Sequence, residues 1–142
     1  MLILKLVQAE RVKRNHAAQP FVFDTVLTRV ARERSADMAA RNAFAHANAA
    51  GENPYQIVAK AVANFRGAVG ENIMTDTIAP GTPFDPAAAA SRVVAAWLAS
   101  PPHAANIAAA TFDKIGVGVA EKGGTVYVTL VFTGPAPARA VP

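Results

Sequence analysis

The chain has 142 residues, 52% of them apolar and 17% charged, which suits one domain with one core and excludes a disordered chain. Fourteen Lys and Arg against ten Asp and Glu leave a net charge of +4. No stripe of basic residues interleaves with aromatics, so no nucleic-acid partner is expected. There is no cysteine, which excludes disulfides, thiolate zinc sites and cysteine nucleophiles.

The first segment, "MLILKLVQAERVKR", places Ile3, Leu6, Val7 and Glu10 on helical spacing and predicts an amphipathic helix with a charged end. It has no basic leader region and no small-residue cleavage site, so it does not read as a signal peptide as it stands. No apolar run approaches the length of a membrane span. Pro20 cannot continue the helix. His16, at its end, reads as a surface cation favoured by the helix dipole. Asp24 is then a candidate N-cap for "TVLTRVARERSADMAARNAF". In that helix Leu27, Val30, Ala31, Met38 and Ala39 share one side, and Arg29, Arg32 and Arg34 read as its solvated side. A loop containing Gly51 and Pro54 follows, then a short helix in "PYQIVAKAVANF".

"GAVGENIMT" reads as a loop entering a strand, with Glu71 where the chain is about to be buried. A turn-rich stretch leads to Asp85 and Pro86, a favoured N-cap and first-position pair. The helix that follows carries Ala90, Val93, Val94, Trp97 and Leu98 as its apolar stripe, and Ser100 is a candidate cap for a second, short helix. Two alternating strands close the chain, turning at Gly123 and Gly124. Ile115, Val117 and Val119 share a face of the first. The second is apolar on both faces, so helices should cover both sides of the sheet. "PAPARAVP" reads as a mobile tail.

The glycines of "GVGVAEKGG" do not make a dinucleotide fingerprint, because a strand and not a helix follows. Ser100 as a nucleophile with His103 as its base is a weaker reading than Ser100 as a cap. His46, Glu71 and His103 together supply the donors of a two-histidine, one-carboxylate site, provided that the fold brings them together. Their spacing does not show that it does.

The segments "LVQAERVKR", "VLTRVARERSADMAARNAFAHANAAGENPY", "VGENI", "VVAAWLASPPHAANI" and "FDKIGVGVAEKGGTVYVTLVF" occur in the order found in bacterial CAP (SCP-like) domains. The chain resembles that superfamily of cysteine-rich secretory proteins, antigen 5 and pathogenesis-related proteins over nearly its whole length. The resemblance implies an α+β fold, a three-layer α-β-α sandwich with a central antiparallel sheet. It implies one domain over residues 1–133, with 134–142 as tail. It also implies a cleft where His46, Glu71 and His103 converge. His46 and His103 are the expected ligands of zinc or another divalent metal, Glu71 is a third candidate ligand, and Glu71 is also the one candidate catalytic residue.

The chain departs from the wider superfamily in three respects. It lacks the second glutamate common in animal and plant members, with Ser100 where that acid would fall. It lacks the disulfides, and it carries Gln8 where bacterial members often have asparagine. The resemblance favours a binding module, extracellular or attached to the cell envelope, acting as a monomer on a lipid, peptide or cell-wall ligand. Its alternatives are a metal-dependent hydrolase, with zinc on the histidines and Glu71 as base, and a non-catalytic interaction scaffold.

Overall fold

In the computed structural model, which describes residues 2–138, nine elements follow one another. They are α1 (Leu2–Arg14), β1 (Val22–Phe23), α2 (Thr25–Arg41), α3 (Pro54–Ala61), β2 (Ala68–Thr77), α4 (Pro86–Ala99), α5 (Pro101–Ala108), β3 (Lys114–Lys122) and β4 (Thr125–Gly134). The strands form one sheet in the order β1-β3-β4-β2. β4 is antiparallel to both of its neighbours, pairing Glu71 with Val131 on one side and Val117 with Leu130 on the other. The two-residue β1 is the exception to an antiparallel sheet, since it runs parallel to β3. The expected hairpin and its glycine turn are present, with Gly123 and Gly124 at positive φ.

Helices cover both faces, and both strips of β4 are buried. On one face α1, α4 and α5 close over Ile115, Val126, Val128, Leu130 and Phe132, with Trp97 fully buried among them. Its indole N–H donates to the carbonyl of Ile73 at 3.1 Å, which satisfies the polar end of an otherwise apolar side chain. Leu98 and Val117, expected inside, are only partly buried, and Val119 is exposed.

On the other face α2 lies directly on β3. A Cβ on Gly116 would stand 2.2 Å from the Thr28 nitrogen, and one on Gly118 would stand 2.2 Å from the Ala31 carbonyl carbon. The glycines of "GVGV" are therefore where helix backbone meets sheet backbone.

The inner side of α1 also differs from the expected stripe. Ile3, Leu4, Val7 and Arg11 are buried, whereas Leu6 and Glu10 are only partly so. Arg11 reaches segments far along the chain. It donates to the carbonyls of Gln19, Ile107, Ala109 and Phe112 and lies over the Phe21 ring at 3.8 Å. Burial lowers its pKa from the usual arginine value, against a smaller opposing pull from Asp113. Gln8, in the place of the common asparagine, accepts from the Phe21 amide at 2.8 Å.

The caps follow the expected chemistry at α2, where Asp24 accepts from the Leu27 amide, and at α4, where Asp85 accepts from Ala87 and Ala88. Ser100 takes the N-cap position of α5 by backbone only, without a side-chain bond. β4 ends at Gly134, one residue into the expected tail, and residues 139–142 of that tail lie outside the described residues. None of the described helices is long and apolar enough to cross a membrane.

Candidate functional site

Glu71 does not stand at a turn. It is the fourth residue of the ten-residue edge strand β2, and its side chain is only 1% exposed. What meets it there is Arg34, whose side chain is 2% exposed. Arg34 Nε donates to Glu71 Oε2 at 2.9 Å and Arg34 Nη2 to Glu71 Oε1 at 3.2 Å, a two-point fork onto a buried carboxylate. The solvated side expected for Arg34 is thus incorrect. Leu27, Val30, Ala31, Arg34, Ser35, Met38 and Ala39 are the buried positions of α2, and they recur every three to four residues. That period places Arg34 on the inner stripe, and its charge alone had assigned it outside.

His46 lies on the loop between α2 and α3. Several local features fix the path of that loop. Asn42 ends α2 in the left-handed conformation, and the Ala43 amide returns to the Met38 carbonyl at 2.9 Å. Asn48 accepts from the amides of Ala50 and Glu52, and Asn53 and Gln56 form a reciprocal capping box that opens α3. His46 Nδ1 then sits 2.9 Å from Glu71 Oε1. An ionised carboxylate only accepts hydrogen bonds, so Nδ1 donates to it, and in the neutral ring Nε2 keeps its lone pair. The ring is half exposed, unlike the carboxylate behind it.

His103 comes from the first turn of α5, on the other side of β2. Asn72, next to Glu71 and fully buried, donates to the His103 carbonyl at 3.1 Å and accepts from Asn106 at 2.9 Å. Adjacent residues of one strand therefore hold the two histidines, Glu71 through the ring of His46 and Asn72 through the backbone of His103. The Nδ1 of His103 is buried without a hydrogen-bond partner among the described residues. Burial pushes this imidazole below its ordinary 6.5, and the nearby His46 pushes it the same way.

The fold thus brings His46, Glu71 and His103 to the same edge strand. It does not place Glu71 as a free third ligand, because both of its oxygens are engaged by Arg34 and His46. Among the described residues no three His, Cys, Asp or Glu side chains form a ready metal-binding group. His16 is exposed on the segment after α1. Asn72 and Asn106 were not foreseen as site residues, and nothing in their spacing marks them.

Residues 4–133 match the sequence pattern of the Cysteine-rich secretory protein family, CAP. A protein of 142 residues with this sandwich and this edge-strand site, matched over nearly its whole length, belongs to that family, although it contains no cysteine. The YkwD protein of Bacillus subtilis (strain 168) is 31% identical over 121 residues, which make up 85% of this chain and 42% of that protein. The chain therefore spans less than half the length of this relative.

Two solved structures share the fold. An outer surface protein of Borrelia burgdorferi is 20% identical with a TM-score of 0.75, over 94% of this chain and 90% of that one. An extracellular SCP-domain protein of Bacillus anthracis is 23% identical with a TM-score of 0.74, over 93% of this chain and 39% of that one.

Proposed function

We propose that the protein is a binding module of the extracellular space or cell envelope, whose cleft at His46, Glu71 and His103 takes a divalent metal or a small ligand. The observation that carries this reading is the His46–Glu71 contact at 2.9 Å, with Arg34 behind it. A carboxylate that holds one ring nitrogen while the other is left open is the usual support of a metal-binding imidazole. His103 adds a second imidazole with an unpartnered nitrogen and a lowered pKa, so it is a neutral donor at pH 7. A divalent metal held by these two rings would supply a Lewis-acidic centre with positions open to water or ligand. Placement outside the cell is supported by the names of the two fold neighbours, an outer surface protein and an extracellular protein.

Glu71 is a poor candidate for a general base. Its oxygens face Arg34 and His46, and a base must reach the proton that it removes. Binding is therefore favoured over the hydrolase.

Titration calorimetry with zinc tests the reading. One weak site is expected in the wild type, lost in both His46→Ala and His103→Ala. Binding that survives both substitutions would place the metal elsewhere, and no binding to the wild type would favour a scaffold. A panel of ester and peptide substrates should show no turnover that depends on Glu71. Turnover abolished in a folded Glu71→Gln variant would promote the hydrolase.

A further inference from the structure

We propose that Arg34 is a positioning residue of this site, fixing through Glu71 which nitrogen of His46 faces the ligand and where it points. The proposal rests on the reading above that the His46 imidazole is a ligand-binding group, but its main readout does not need a ligand.

Arg34 holds the imidazole twice. Its Nε and Nη2 grip the two oxygens of Glu71, and Glu71 Oε1 in turn meets His46 Nδ1. The same Nη2 also donates to the backbone carbonyls of Ala45 at 2.6 Å and His46 at 2.9 Å. Three residues from α2, β2 and a loop thus close a ring of contacts. Arg34 sets the carboxylate, the carboxylate sets the imidazole, and the backbone that carries the imidazole is tied back to Arg34. Rotating the His46 ring breaks the first tie, and moving its loop breaks the second.

Stability alone does not account for the arrangement. A buried ion pair gains little over apolar residues of the same volume, because desolvation of both charges offsets their attraction. This one is also incompletely satisfied. Arg34 Nη1 is buried with no hydrogen bond among the described residues, and its contact with Asp37, at 3.6 Å, is an ion pair only. A pair kept for burial would be expected to use its donors fully. The fork does achieve a fixed hydrogen-bond direction. An ionised carboxylate accepts only, and the fork fixes where its remaining lone pairs point, so the neighbouring neutral imidazole presents Nδ1–H to it and Nε2 outward. Lysine would keep the charge but not the fork.

The test is the tautomer of His46 in the ligand-free protein, read at pH 7.5 from long-range nitrogen–proton correlations of the imidazole rings. The wild type should show one tautomer, protonated at Nδ1. Folded Arg34→Met and Arg34→Lys variants should show a mixture, with the His103 ring unchanged. Zinc affinity, with zinc as the probe, should fall about 10- to 100-fold in Arg34→Met, as it does when an outer partner of a ligand is lost. If Arg34→Met does not fold, as judged by thermal unfolding, Arg34→Lys decides the question alone. A folded variant with the wild-type tautomer and zinc affinity within about twofold overturns the proposal. A wild type that binds no zinc but whose tautomer depends on Arg34 supports the positioning role and removes the metal reading.

Discussion

On the face covered by α1, α4 and α5, the sheet offers Val126, Val128, Leu130 and Phe132, and the helices answer with Val7, Val93, Val94 and Trp97. On the face covered by α2, it offers Gly116, Gly118, Thr129 and Glu71, and the helix answers with Arg34 and Ser35. The first face is closed by bulk, which has no direction. The second has apolar contacts too, such as Leu27 and Val30 on Val131, but it adds contact of backbones and hydrogen bonds, which do have direction. His46 is fixed from the second face and His103 from the first, so the edge strand joins a tolerant half to an exacting one.

The comparison can be broken most heavily at Trp97. Replacing it with alanine should cost about 3–5 kcal/mol, from the cavity and from the unpaired Ile73 carbonyl. Near-unchanged urea unfolding would show that the bulky face is not the main source of stability.

Gly118→Ala probes the other face. Its new methyl group meets Ala31 backbone and not the end of a flexible side chain, so α2 must shift, at roughly 2–3 kcal/mol. The same substitution should lower zinc affinity if α2 carries Arg34 with it. An unchanged unfolding midpoint would mean that α2 does not sit so close.

Ser35→Ala should cost about 1–2 kcal/mol, because the hydroxyl group bonds both the Gly118 carbonyl at 3.0 Å and the Thr129 hydroxyl at 2.8 Å in a buried place. A neutral result would mean that the polar contacts on this face are not structural.

The smallest effect is one of pH. The folded His103 titrates below its ordinary 6.5. As pH falls through 6.5 the unfolded chain takes a proton that the folded chain refuses, so stability falls until the folded ring protonates too. The drop in urea midpoint between pH 7.5 and 5.5 should therefore be smaller in His103→Asn than in the wild type. An equal drop would remove His103 from the acid response.

The bulky face was the more legible in sequence. The period of two in β3 and β4 and the helical stripe of α4 mark apolar positions directly, and Asp24 and Asp85 announce their helices. Leu98 and Val117 are less buried than expected because a period, helical or alternating, gives a side and not a depth. β1 was missed because two residues carry no period, and it exists only where Val22 and Phe23 meet β3, far along the chain.

On the polar face the letters mislead. Arg34 looks like its neighbours Arg29 and Arg32, and only its place on the inner stripe sets it apart. The two histidines and Glu71 are a donor set by residue type, but only the family resemblance implies that they converge, since residues from three segments have no spacing to read. The bond from Asn72 to the His103 backbone has no signature at all, because any residue offers a carbonyl.

Arg11 bears on the order in which the molecule assembles. It joins the first helix to carbonyls at Ile107, Ala109 and Phe112, 96 to 101 residues away, and with no cysteine present no disulfide holds those segments together. Contacts so far apart in sequence close slowly, as does the pairing of β2 with β4. The segment around residues 107–112 is therefore expected to join late. Its amide protection should vanish together with that of α1, and a chain without its first helix would leave the end of α5 unanchored.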